Sequence, residues 1–408
     1  MTSLRTGDHI EVDVESVAHG GSCVARHDGR VVFVRGTIPG ERVRARVVAA
    51  PRHGRFARAE TEEVLVASPD RVSPPCRYAG ACGGCDWQHI RLERQRSLKA
   101  DVVREQLTRL AHEPSDRWRD LEVRPVPGDR DGLGWRTRMR FAVNAQGTAG
   151  LHAHHSHDIV PIARCLIASS GVDDLGVTRR SWDGAAEVLA VSSNCGDRVA
   201  LPDPRAGQAW IREEAAGRTW KLDATAFWQV HPGAPDILVD VVRRGLRPRA
   251  GEHLIDLYSG AGLFAGALSA DVGADGQVDA VESDEVAVRS ARRSLHDCPT
   301  VRLHHDTVDR WLSTRGPAPC DLIVLDPPRS GAGRDVMTAL LAMNPRAVAY
   351  VACDPASLAR DIATAKESGW FVESLGCWDL FPMTHHVECV AVLTRADPPT
   401  LASTRDDG

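Results

Sequence analysis

The stretch Tyr350-Val351-Ala352-Cys353-Asp354-Pro355 ends an apolar run on a cysteine and follows it at once with a turn. Ala347, Val348, Tyr350 and Val351 predict a buried strand that stops at Asp354-Pro355, because proline cannot donate to a ladder. The Cys353 thiol is therefore expected at the carboxyl end of a strand, on the rim where open α/β sheets bind ligands. A thiol there is a candidate nucleophile, although a free cysteine in an apolar strand is by itself more often core filling than catalyst. Its neighbours along the chain strengthen the case. Leu322-Ile323-Val324-Leu325 is a second buried strand, ending in Asp326-Pro327-Pro328-Arg329, and a carboxylate with rigid prolines shapes a rim for a planar base. Glu388 enters the apolar run Val387 to Leu393. An acid there is usually salt-bridged or solvent-facing, and only a wider constellation makes it a base.

A third strand, Leu254-Ile255-Asp256-Leu257-Tyr258, runs into Ser259-Gly260-Ala261-Gly262-Leu263-Phe264. Gly260 and Gly262 let a ligand approach the backbone where a helix begins. The following strand, Gln277 to Val281, ends on Glu282, spaced for an acid that bonds a ribose hydroxyl. Ala265 stands where a dinucleotide fingerprint has its third glycine, a replacement that fingerprint tolerates, so the turn suits S-adenosylmethionine and a dinucleotide alike.

Cys76, Cys82 and Cys85 follow a C-x5-C-x2-C spacing on a loop rich in glycine and proline, and Cys165 is the candidate fourth ligand. Four thiolates on loops hold zinc or a [4Fe-4S] cluster. Spacing does not choose between the metals.

These residues need elements to carry them. A chain of 408 residues exceeds one ordinary core and predicts two or three domains. With 43% hydrophobic and 26% charged residues it is neither disordered nor membranous. The amino terminus lacks the apolar stretch of a signal peptide, which predicts a cytoplasmic protein whose eleven cysteines are thiols, metal ligands or catalysts rather than disulfides. The net charge of −5 gives no global pull toward nucleic acid, so any RNA binding must be local.

From Gly7 to about Val66, short alternating strands separated by glycines predict a small β-barrel. Six arginines and no acid lie between Arg42 and Arg58, either a grip for a phosphate backbone or a solvated face. From Arg91 to His112, Leu98, Val102, Val103, Leu107 and Leu110 predict an amphipathic helix that docks on a core. Between about Glu122 and Lys221 the pattern is mainly β. There Trp135-Arg136-Thr137-Arg138-Met139-Arg140-Phe141 alternates bulky and cationic side chains, which suits either stacking on single-stranded RNA or a half-buried strand. The second half alternates strands and helices, as a Rossmann-like sheet does. The expected division is a barrel over 1–67, a central domain over 68–221 with helix 91–112 docking on the next domain, an α/β domain over 222–395, and a disordered tail over 396–408.

The first stretch resembles a TRAM domain, an OB-like RNA-binding module, through Val17-Ala18-His19-Gly20-Gly21 and Val34-Arg35-Gly36-Thr37-Ile38-Pro39-Gly40-Glu41. Taken with Phe227-Trp228-Gln229-Val230, Asp256 to Gly262, Asp326 to Arg329, Tyr350 to Pro355 and His386-Val387-Glu388, nearly the whole chain resembles the RNA uracil-C5 methyltransferase family, in its subgroup with a TRAM domain and an iron-sulfur cluster. The resemblance implies an S-adenosylmethionine methyltransferase fold. It makes Cys353 the nucleophile and Glu388 the base, with Gln229, Tyr258, Gly260, Gly262, Leu263, Glu282, Asp306 and Asp326 around the methyl donor. Cys76, Cys82, Cys85 and Cys165 would hold the [4Fe-4S] cluster, with zinc as the alternative. The implied partner is RNA, ribosomal before transfer RNA, and a monomer is expected. Two other readings stand beside this one: RNA cytosine-C5 methylation, and a non-catalytic RNA-binding redox sensor. Where the family often has Ser-Cys-Asn-Pro, this chain has Ala352-Cys353-Asp354-Pro355, and where many relatives carry asparagine it has Leu263. An acid beside the thiol raises its pKa.

Overall fold

The computed structural model describes residues 4–51, 55–129, 131–154 and 156–395. The alternating amino-terminal stretch forms five strands, β1 (His9–Val17), β2 (Cys23–His27), β3 (Arg30–Arg35), β4 (Arg42–Ala49) and β5 (Phe56–Val66), closed into a barrel in the order β1-β2-β3-β5-β4. Period-two alternation places Ile10, Val12 and Val14 inside. The arginine run is not a free cationic face. The register sets Arg44 opposite Glu11 on β1 and Glu63 on β5. Arg44 pairs with both, Arg42 with Glu11 at 3.5 Å, and Arg46 with Glu60 at 3.5 Å and Glu62 at 3.3 Å. Farther along, the Arg58 guanidinium lies 5.9 Å from the ring centroid of Phe56, which is exposed.

Helix α1 (Leu92–Leu110) carries the expected apolar residues on two sides. Leu98 and Val102 join the barrel core together with Trp87 and Ile90, while Ala100, Val103 and Leu107 join the core of the carboxyl-terminal sheet. The short β6 (Val123–Arg124) follows. The central sheet comprises β7 (Arg138–Val143), β8 (Ala149–His152), β9 (Ile159–Pro161), β10 (Glu187–Ser192) and β11 (Arg198–Pro202), with helix α2 (Ser170–Asp174) between β9 and β10, in the order β11-β10-β7-β8-β9. Of the alternating stretch, Trp135 and Arg138 turn inward. Arg138 donates to the carbonyls of Ala224 at 2.9 Å and Ala226 at 2.8 Å, and Arg140 pairs with Glu187 at 2.6 Å. A half-buried strand with a solvated arginine face describes Arg140 but not Arg138, whose guanidinium is buried.

A hairpin of β12 (Trp210–Ala215) and β13 (Arg218–Asp223) leads into the α/β body. That body consists of α3 (Ala234–Leu246), β14 (His253–Leu257), α4 (Leu263–Leu268), β15 (Gln277–Glu282), α5 (Glu285–Ser294), β16 (Val301–His305), α6 (Val308–Arg315), β17 (Leu322–Leu325), α7 (Arg334–Ala342), β18 (Ala347–Ala352), α8 (Pro355–Glu367), β19 (Phe371–Trp378) and β20 (Glu388–Thr394). Its eight-stranded sheet runs β16-β15-β14-β17-β18-β20-β19-β6. The strands from β16 to β18 are parallel, and β20 inserts antiparallel beside β18. Helices cover both faces, which is why β14, β17 and β18 read as continuous apolar runs. Three pieces that precede residue 222 belong to this body: α1 packs on α8, β6 pairs with β19, and β12–β13 lies against α5. The expected tail lies outside the described residues. Among those described, no helix is long and apolar enough to cross a membrane.

Candidate active site

Cys353 follows the last residue of β18, and Asp354 caps α8 by accepting from the Ser357 amide at 2.8 Å, with Pro355 in the first turn. In the antiparallel ladder Ala352 pairs with Cys389. Cys353 is the residue after Ala352, and Glu388, the first residue of β20 and 3% exposed, is the residue before Cys389, so both lie just past the end of this ladder. Asp326 follows β17, the strand next to β18 on its other side. Burial pushes the Cys353 thiol up to about 12; the Glu388 and Asp326 carboxyls add to this, and the Arg329 guanidinium opposes it. Burial, reinforced by Asp326, lifts Glu388 well above the usual carboxylate range, and burial lifts Asp326 to about 7. The Cys353 thiol and the two acids thus influence one another in a desolvated space, with the Arg329 cation opposing them. Its guanidinium donates to His386 Nε2 at 3.2 Å.

The methyl-donor residues predicted from sequence collect on the same rim. The Ser259 amide donates to the carbonyl of Val281 and the Asp326 amide to that of Leu257, which ties the ends of β14, β15 and β17 together. Glu282 accepts from the Gly260 amide at 2.9 Å through one oxygen and from the Ser283 and Asp284 amides at 2.7 and 2.6 Å through the other. The Asp306 amide donates to the carbonyl of Glu282 at 3.0 Å. Tyr258 at φ 61°, Gly260 at 55° and Gly262 at 86° form a tight left-handed turn before α4. Leu263 differs from the polar role of a family asparagine: it is 7% exposed and belongs to the hydrophobic core. Gln229 stands on the loop between β13 and α3 whose carbonyls Arg138 holds, next to Phe227, which is 66% exposed.

Sequence reasoning passed over Asp256 as a site residue. It is fully buried, one oxygen accepts from the Ala265 amide at 2.8 Å, and the other has no partner among the described residues, like the Ser259 hydroxyl nearby. Burial, with Asp326 and Glu282 adding to it, holds its carboxyl well above the usual range. The Gly260 amide that would face a phosphate is already taken by Glu282, so the turn does not offer that donor to a pyrophosphate. A buried acid inside an apolar strand was the signal available in the sequence.

Cys76, Cys82, Cys85 and Cys165 line one cavity of about 230 Å³ together with Arg136. Burial raises the thiols of Cys82, Cys85 and Cys165, and their mutual proximity adds to it. Among the described residues no three His, Cys, Asp or Glu side chains converge to hold a single metal ion. A second cavity of about 290 Å³ lies between the barrel and this loop, lined by Arg35, Thr61, Arg71, Asp86 and His89 among others. Neither cavity is lined by Cys353 or Glu388.

Residues 4–61 match the TRAM domain family model, and residues 317–396 match that of the tRNA (uracil-5-)-methyltransferases. The chain is 45% identical to an uncharacterized RNA methyltransferase of Streptomyces avermitilis over 96% of this chain and 99% of that one. It is 46% identical to one of Streptomyces coelicolor over 96% and 93%. Among solved structures it resembles the Pyrococcus abyssi tRNA (uracil-54, C5)-methyltransferase in complex with S-adenosyl-L-homocysteine, with a TM-score of 0.69, 20% identity and coverage of 94% of this chain and 100% of that one. At that identity the likeness bears on the fold.

Proposed function

The chain belongs to the RNA (uracil-5-)-methyltransferase family with a TRAM domain, an S-adenosylmethionine-dependent enzyme family, and from that premise we propose that it methylates C5 of a uridine in structured RNA, ribosomal RNA before transfer RNA, through a covalent bond from Cys353 to C6. Membership sets aside the non-catalytic redox-sensor reading. The observation that carries the proposal is that Cys353 and Glu388 both lie at the end of the β18–β20 ladder, near enough for the carboxyl to raise the thiol, with Asp326 and Arg329 acting on the same thiol.

Uracil C5 is a poor nucleophile until a thiolate adds to C6 and makes it enolate-like. Cys353 makes that bond. S-adenosylmethionine, when bound, supplies an electrophilic methyl group beside the glycine turn. The C5 proton must then leave before the sulfur can be expelled, and Glu388 is the group placed to take it. Arg329 favours the charged forms of both Cys353 and Glu388 and offsets part of the burial. The target base must be flipped or unpaired to reach this rim, at a cost of about a few kcal/mol.

The four cysteines line one cavity, and four thiolates on loops suit a [4Fe-4S] cluster, with zinc as the alternative. Such a cluster, held by Cys76, Cys82, Cys85 and Cys165, would bridge the loop after the barrel to the central domain. Transfer RNA is the second reading of the substrate, favoured by the names of the matching family model and of the Pyrococcus enzyme. Mapping 5-methyluridine in ribosomal and transfer RNA from a strain lacking the gene tests both. Loss of one modified uridine in either RNA assigns the substrate. An unchanged map alongside a lost 5-methylcytidine would replace uracil by cytosine as the target.

A further inference from the structure

The turn between β1 and β2 of the barrel reaches the catalytic rim at two places. His19 Nε2 lies 2.7 Å from Asp354 Oδ2, and since a carboxylate only accepts, the ring N–H donates. Two residues on, Gly21 sits so close to His385 that a Cβ there would fall 2.8 Å from the His385 Cβ. The Gly21 carbonyl accepts from Trp87 Nε1 at 2.9 Å, and His385 in turn pairs with Asp86 at 2.7 Å. One barrel turn thus touches the residue after the nucleophile and the loop that leads into the base.

We propose that His19 is a positioning residue for Cys353, holding the Asp354 carboxylate toward the barrel so that its charge opposes thiolate formation on the adjacent residue less than a free carboxylate would. Both Asp354 oxygens are engaged, one by the α8 amide of Ser357 and one by His19. Burial would raise its carboxyl, yet these two bonds hold it down at about 2, so it stays charged beside the thiol. Asp354 adds to the Cys353 pKa in the same direction as Glu388 and Asp326, with Arg329 opposing. Without His19, the chain would keep the acid and lose the donor that holds it. The barrel would then contribute to chemistry as well as to RNA binding, from a position 335 residues away in sequence.

The inference rests on Cys353 being the nucleophile, and the alkylation measurement that tests it needs no knowledge of the RNA. Full-length wild type, His19→Ala, Asp354→Asn and the double variant are treated with iodoacetamide at neutral pH, and alkylation of Cys353 is followed by peptide mass, with Cys195 as the reference thiol. His19→Ala should slow Cys353 alkylation about tenfold, the effect of one pKa unit on the thiolate population, while Cys195 is unchanged. In the Asp354→Asn background His19→Ala should change nothing, because no charge remains to balance. Equal slowing in both backgrounds, slowing shared by Cys195, or no slowing at all overturns the proposal. If fully alkylated Cys353 still permits RNA methylation, the nucleophile assignment itself fails. If alkylation abolishes methylation while its rate ignores His19, that assignment stands and only this inference falls.

Discussion

Cys353 and Glu388 each lie one residue beyond the last pair of the β18–β20 ladder, Ala352 and Cys389. Neighbouring groups with separate tasks should fail separately. Cys353→Ala is expected to bind RNA without methylating it or forming a covalent complex. Glu388→Gln is expected to accept the methyl and stall as a protein-RNA adduct, with turnover reduced about 10²- to 10⁴-fold. Denaturing electrophoresis with a radiolabelled methyl donor separates the two outcomes.

Asp326 carries a charge the fold disfavours. Its carboxyl is raised from 3.8 to about 7 in the native protein, so native stability falls as pH rises between those values and the full penalty applies above pH about 7. Asp326→Asn should therefore stabilise the protein by about 1–3 kcal/mol at alkaline pH. The gain should vanish below the unfolded value, and methylation should be lost. Thermal melting across pH measures the first effect and methyl transfer the second.

Lys99 of α1 and Asp379 are both fully buried and joined at 2.5 Å, and the Lys99 ammonium also donates to the carbonyl of Phe381 at 3.1 Å. Lys99→Met leaves the Asp379 charge buried and unpaired and should cost about 3–5 kcal/mol in denaturant unfolding. Lys99→Met with Asp379→Leu should recover most of that loss, because two matched apolar groups replace two matched charges.

RNA binding should depend little on the arginines that pair within the barrel. Arg44→Gln is expected to change the salt slope of RNA affinity by much less than the unit of about one that a phosphate contact gives. Phe56→Ala removes an exposed ring over which a guanidinium already lies and should weaken single-strand binding by about 1–3 kcal/mol. Affinity measured at several salt concentrations tests both. Deleting the barrel is a poorer test, because Trp87, Ile90, Leu98 and Val102 would lose their core.

Protein purified without oxygen should be brown and carry about four irons per chain if the four cysteines bind the cluster. Cys165→Ser should lower the iron content and bleach the colour. Stoichiometric zinc with no iron would overturn the assignment.

The sheet was legible where the physics is local. Apolar runs ending in Asp326 and Cys353 located two strand ends, because a strand covered on both faces has no alternation to hide it. The periodicity of α1 was equally plain, although it could not reveal that one side belongs to the barrel core and the other to the sheet. What stayed hidden was pairing at a distance. The run from Arg42 to Arg58 contains no acid, and its neutralising partners Glu11, Glu60, Glu62 and Glu63 arrive only through strand register. Arg138 read as exposed because nothing local announces the carbonyls of Ala224 and Ala226. The meeting of Glu388 with Cys353 depends on β20 inserting between β18 and β19, a topological choice that the apolar pattern alone does not make.

Because the two sides of α1 are built into two different cores, neither core can melt while leaving that helix fully packed. The barrel and the sheet are therefore thermodynamically linked: the protein should unfold in one cooperative transition, and exchange of slow amides on β1 and β14 should report the same opening event. Grafting this barrel onto another enzyme would also carry half of a helix interface with it, so the chain cannot be divided at the barrel boundary without leaving an exposed seam.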